Sequence, residues 1–152
     1  MSSDRDAPHD AEALARRSAA AMWSQDAASA ALGMELVDVG PGRAQVRMRV
    51  TTAMVNGHAI AHGGLVFTLA DSAFAVACNT HGVVTVAAGA DVTFVAPARL
   101  GDVLEADAVE QVSYGRSSVT DVRVVRLTAD GEQLVALFRG RSRSLGRPIP
   151  GT

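Results

Sequence analysis

Between Leu65 and Asn79 nearly every position is apolar, and the apolar residues cover all sides of a helical cylinder. A helix that is hydrophobic all round is a buried one. Asp71 interrupts it midway, with Phe67, Thr68, Phe74 and Ala75 one turn before and after. Arg43 to Val50 shows the other period. Ala44, Val46, Met48 and Val50 fall on one face, with Arg43, Gln45, Arg47 and Arg49 on the other, which predicts a half-exposed antiparallel strand.

The rest of the chain falls into place around these two stretches. Residues up to about His9 read as a loose tail, and Asp10 then caps an alanine-rich helix running towards Gln25. Asp26 starts a short second helical turn that ends at Gly33, and Met34 to Val39 reads as a strand. Gly40-Pro41-Gly42 is a turn, and Gly82 a helix stop. Four strands follow at Val83–Val95, Val103–Ser113, Ser117–Leu127 and Gln133–Leu145, expected as a meander, with a frayed tail from Gly146. One domain over residues 1–152 results, of α+β class. A curved antiparallel sheet wrapped around a long buried helix, the hotdog arrangement, accounts for a helix with no exposed face in so short a chain. Its open sheet edge invites a second subunit.

Composition narrows the possible functions. With 48% hydrophobic and 20% charged residues the chain is an ordinary globular protein. A formal net charge of −2 argues against a nucleic-acid binder. The single cysteine, Cys78, permits no intrachain disulfide and belongs to the core. The amino terminus lacks the apolar segment of a signal peptide, and no run is long enough to span a membrane, so a cytoplasmic location is expected.

The candidate chemistry gathers around Asn56-Gly57-His58-Ala59-Ile60-Ala61-His62-Gly63-Gly64 and the helix behind it. The first turn of that helix presents unpaired N–H groups and the positive end of its dipole, which suit an oxyanion. A carboxylate buried at Asp71 must be paired, neutral or turned to a cavity. Together these read as acyl transfer. Plainer readings stand beside each: Asp71 as a structural carboxylate, Gly63 and Gly64 as a tight turn, His62 as a loop support, and Asn56 as a turn residue with positive φ. His58 and His62 have the spacing of a zinc pair, but no third ligand is evident, and no metal or cofactor is expected. Arg139, Arg141 and Arg143 alternate along a strand as either a solvated face or a grip on phosphates. Arg116, Ser117 and Ser118 are candidates for binding substrate.

The segments Asn56-Gly57-His58, His62-Gly63-Gly64 and Leu69-Ala70-Asp71-Ser72-Ala73-Phe74-Ala75 closely resemble the PaaI-type acyl-CoA thioesterases of the hotdog superfamily. The likeness extends to Met22-Trp23-Ser24-Gln25-Asp26 and to Ala136-Leu137-Phe138-Arg139-Gly140. It implies metal-free hydrolysis of an acyl-CoA, aryl-acetyl or hydroxylated aryl-acetyl. Asp71 matches the family's general base or nucleophile, Gly63 the oxyanion donor, His62 the residue beside the thioester carbonyl, and Asn56 the group that places water or substrate. Gly64, Phe67, Ser72 and Phe74 are then expected to contact substrate. The resemblance further implies a homodimer whose sites take the loop from one subunit and the carboxylate from the other, paired again as a tetramer. Val95-Ala96-Pro97-Ala98 departs from the family, which commonly carries an arginine and a glycine around that proline. A hotdog protein that binds acyl-CoA or acyl-carrier protein without turnover is the alternative. A hydratase of the same fold ranks lower, because its histidine would follow the carboxylate.

Overall fold

A computed structural model describes residues 7–152. Two helices, α1 (Ala7–Trp23) and α2 (Ala27–Ala31), precede strands β1 (Glu35–Gly40) and β2 (Arg43–Arg49). The long helix α3 (Gly63–Asn79) follows, and then β3 (Val83–Phe94), β4 (Val103–Tyr114), β5 (Ser117–Thr128) and β6 (Gly131–Pro148). The strands form one antiparallel six-stranded sheet of order β1-β2-β4-β5-β6-β3, curved around α3 as a hotdog.

Strand register explains how the helix is held. Ala44, Ala108, Val122 and Phe138 lie in one cross-strand row, and Val46, Ala106, Val124 and Ala136 in the next. All eight are buried against α3, where Leu69, Ala70, Ala73 and Ala77 face them. Alanine on both surfaces lets helix and sheet approach closely at interior packing density. Where a large ring enters, the sheet makes room: Phe74 is 1% exposed, and a Cβ at Gly140 would stand 2.5 Å from its ring.

Three expectations need correction. The four-strand meander is not formed: β3 pairs with β6 alone, and only β4-β5-β6 run as consecutive neighbours. The chain therefore leaves β3 at one edge and crosses the ends of β6 and β5 before entering β4. That crossing segment is tied down on its way, for Val95 and Ala96 donate to the Val135 carbonyl and Ala61 donates to Ala98. The carboxyl terminus is ordered as well. Pro148 pairs with Val83, the Ile149 amide donates to Gly82, and the Ile149 side chain is buried. At the other end, α1 already includes Ala7, Pro8 and His9, while residues 1–6 of the expected tail lie outside the described residues.

Helix α3 does have a lighter face. Thr68, Asp71, Ser72 and Ala75 are only half-buried and Gly64 is exposed, because the sheet curves around the opposite side. At the sheet edge, β3 keeps one side unpaired over its whole length. No helix among the described residues is long and apolar enough to cross a membrane.

Candidate active site

The loop before α3 is built by its own polar groups. Asn56 Oδ1 accepts the His58 and Ile60 amides at 2.9 and 3.2 Å, and the Asn56 backbone amide donates to the Ile60 carbonyl. The turn closes on itself, and the one left-handed non-glycine residue among those described is Ala59 (φ 58°), not Asn56. The crossing segment clamps the loop from outside through the Ala59 and Ala98 carbonyls. Asn56 keeps its side-chain NH2 free of any partner among the described residues.

The first turn of α3 then disposes its amides unequally. His62 is the N-cap: its Nδ1 accepts the Gly64 amide at 3.3 Å, and its carbonyl accepts those of Leu65 and Val66. Among the described residues no acceptor meets the Gly63 amide. A cavity of 390 Å³ opens here, lined by Asn56, Ile60, Gly63, Val66 and Phe94 and closed by Val95 to Ala98. Phe94 stands 53% exposed, and a Cβ on Gly63 would come within 3.0 Å of its ring. The segment that departs from the family pattern thus forms a wall of this cavity.

Asp71 is not in that cavity. It lies about two turns further along α3, about 12 Å from Gly63 measured along the axis. Its carboxylate has neither an ion pair nor a hydrogen bond among the described residues. Burial raises its pKa above the ordinary aspartate value, and the nearby Asp26 raises it further. A carboxylate held in that state is a base in waiting, and its raised pKa marks a functional-site candidate. The free Gly63 amide and the Asp71 carboxylate of one chain therefore stand too far apart along α3 to meet at one carbonyl.

Relatives of the chain decide its family. The thioesterase superfamily profile matches residues 58–131, from the loop through β5. The chain is 40% identical over 135 residues to the acyl-coenzyme A thioesterase PaaI of Escherichia coli (strain K12), covering 89% of this chain and 94% of that protein. The chain belongs to the thioesterase superfamily. A solved structure of the E. coli PaaI protein from the phenylacetic acid degradation operon superposes with a TM-score of 0.86 at 39% identity, over 91% of this chain and 98% of that one. A mutant of the phenylacetic acid degradation protein PaaI from Thermus thermophilus gives 0.72 at 38%, over 77% and 97%.

As a thioesterase, the protein uses some of the expected residues differently. Ser72 faces α2, where its Oγ lies 2.9 Å from that of Ser29, which donates to Asp26 at 2.6 Å. Phe74 is in the core rather than on a cavity, 5.7 Å from Phe138, while half-buried Phe67 meets Phe138 edge-on at 5.2 Å. Gly64 spends its amide on the cap. Arg116, Ser117 and Ser118 sit at the β4–β5 turn, level with the carboxyl end of α3 and remote from Gly63 of the same chain. Ser118 is buried against Ser142 with oxygens 2.6 Å apart, and Arg116 donates to the Ser144 carbonyl. Two of the three stripe arginines are already matched: Arg139 grips Asp121 through two hydrogen bonds, and Arg141 pairs with Asp91. Arg139, Asp121 and Asp91 border a hollow of 490 Å³ on the sheet's outer face, where charges satisfy one another. Cys78 is buried, which pushes its thiol up to about 12 and leaves it inert as a nucleophile at neutral pH.

Sequence reasoning missed Asn79. Its side chain ends α3 by donating to the Ala75 and Thr85 carbonyls at 2.9 and 2.8 Å, while its Oδ1 accepts the Thr85 amide at 2.8 Å. A polar residue closing an otherwise apolar run was the available signal.

Proposed function

We propose that this protein hydrolyses aryl-acetyl-CoA thioesters to the free acid and coenzyme A, at sites assembled from two copies of the chain. The observation that carries this reading is the pairing of an unpartnered Gly63 amide with an unpartnered Asp71 on one helix, too far apart to act together. A second copy related by two-fold symmetry supplies the missing half to each. Strand β3 is the natural seam, since its free edge bears the exposed Val86 and Phe94.

In this arrangement the thioester oxygen accepts the Gly63 amide at the positive end of α3. His62 accepts the Gly64 amide at Nδ1, so the neutral ring carries its proton at Nε2. That N–H and the Asn56 side-chain NH2 face substrate or water. Asp71 of the second copy takes a proton from water, which adds to the carbonyl carbon; the tetrahedral oxyanion collapses, the C–S bond breaks, and the sulfur leaves with the proton. Direct attack by Asp71 gives an anhydride, which water then opens to the same products. The name and operon of the E. coli relative support the aryl-acetyl substrate, and a CoA ester places the work in the cytoplasm.

Incubating the purified protein with acetyl-, phenylacetyl-, hydroxyphenylacetyl- and medium-chain acyl-CoA while following free thiol tests the reading. Preferred release from the aryl-acetyl esters is expected. Tight binding without release would assign the protein to ester capture instead. Labelled oxygen from water entering Asp71 in a single turnover would identify the carboxylate as the nucleophile.

A further inference from the structure

Beside Asp71, on the half-buried face of α3, lies a second hollow of 240 Å³ that no predicted site residue except Ser72 touches. Its floor is Ala75, one turn beyond Asp71 on the same stripe, together with Val76. Its far wall is the end of α1 and the short connection to α2, with Met22, Trp23 and Gln25. The two remaining lining residues are polar but turned on each other. Asp26 accepts the Ser29 amide and hydroxyl at 2.9 and 2.6 Å, and Ser29 meets Ser72 at 2.9 Å. This chain of hydrogen bonds pins α2 to α3 and leaves Met22, Trp23, Ala75 and Val76 to give the hollow its apolar surface.

We infer that this hollow receives the acyl group of the thioester, with Ala75 and Met22 setting the size that fits and Trp23 forming the wall. The inference rests on the proposed hydrolysis and assigns a place in the fold to its acyl group. Three observations lead there. Ser72, next to Asp71, and Ala75, one helical turn beyond it, both line the hollow, so an acyl group extending from a carbonyl at Asp71 along that face of α3 passes over Ala75. Its volume suits a ring, since an apolar cavity of about 150 Å³ takes up benzene. Its walls suit one too: a thioether and an indole both make favourable contacts with aromatic edges and faces. A straight long chain would run into the α1–α2 connection, whereas a compact aryl-acetyl group stops short of it.

Trp23 is the only tryptophan in the chain, so its emission reports this hollow alone. In the Asp71→Asn protein, titration with phenylacetyl-CoA is expected to change Trp23 emission saturably, while free coenzyme A leaves it unchanged. Ala75→Leu fills the floor and is expected to lower the ratio of kcat/KM for phenylacetyl-CoA over acetyl-CoA by at least about 10-fold, the scale on which a pocket discriminates by a methylene or two. An unchanged ratio, or a Trp23 response equal for the ester and free coenzyme A, overturns the inference. If the wild-type protein hydrolyses neither ester, the proposed function fails by itself. The titration then decides the hollow alone: a saturable response specific to the ester upholds it, and none overturns it.

Discussion

The Nδ1 of His62 accepts the amide of Gly64 at 3.3 Å, and the Gly63 amide between them stays free at the cavity. The cap does two things at once. It satisfies one orphan donor of the first turn and orients the imidazole, while concentrating what remains of the helix's positive end on a single N–H.

Replacing Gly63 by proline isolates that N–H. Position N1 of a helix tolerates proline, and His62, at φ −61° and ψ 130°, already has the extended backbone that must precede one. The nearest atoms to a Cβ at this position belong to the outer edge of the half-exposed Phe94 ring, at 3.0–3.4 Å, and that ring has room to turn. Gly63→Pro is expected to keep its circular dichroism and oligomeric state while kcat falls by about 10²–10³-fold, the loss that accompanies removal of one oxyanion donor. Retention of wild-type kcat would take Gly63 out of the mechanism.

In the proposed mechanism Asp71 ties activity to pH. Its pKa is raised by burial first and by Asp26 second, so the ionised base is lost as pH falls through a value above that of an ordinary aspartate. The acid limb of kcat/KM is expected there. Asp26→Asn keeps the α2 cap, because asparagine caps as well as aspartate, and removes the charge; the limb then moves to lower pH. Asp71→Asn should cost roughly 10²–10⁴ in rate as a lost general base. Stability follows the opposite sign. A carboxyl whose folded pKa is raised favours the fold below its unfolded pKa and subtracts from stability as pH rises through the folded value. Asp71→Asn is therefore expected to melt no lower than wild type at pH 7, with any gain fading in acid.

Asn79 carries a structural prediction. Asn79→Ala removes two hydrogen bonds that tie the end of α3 to Thr85 of β3, and a third, to Ala75, within α3, and leaves the half-buried backbone groups of Thr85 unmatched. Each such group costs about 1–3 kcal/mol when left unmade, so urea unfolding should show a loss of at least that size. Because β3 is the seam proposed for a second copy, the variant should dissociate more readily on dilution.

Much of this was legible in the residues. The all-apolar run from Leu65 gave α3 its place, the alternation from Arg43 gave β2, and Gly-Pro-Gly and Tyr-Gly-Arg gave the turns. Strand order was not legible. Alternation tells which face a residue occupies, and a meander and the observed crossover share that alternation; the order comes from Val92 and Phe94 finding Phe138 and Ala136 across β6. The tail from Gly146 looked frayed because glycine and proline punctuate it, yet the buried Ile149 side chain and its amide bond to the Gly82 carbonyl hold it in place. In the candidate site, Asp71, Gly63 and Asn56 were singled out by residue type and spacing, and each keeps a polar group without a partner among the described residues. Phe74 and Ser118 were misplaced because a sequence does not say whether a ring or hydroxyl meets a cavity or a neighbour. The light face of α3 escaped notice for a related reason: alanine at position 75 reads as core whether or not anything covers it.

The claim beneath the whole account is that neither copy of the chain is complete without the other. Co-expression of Asp71→Asn and Gly63→Pro chains under separate tags, followed by purification of the mixed dimer, tests it most directly. Two-fold symmetry gives each mixed dimer one intact site and one doubly defective site, so an unfractionated equal mixture should recover about a quarter of wild-type turnover and the purified mixed dimer about half. A mixed dimer no more active than either parent would place both groups in the service of their own chain and contradict the shared site.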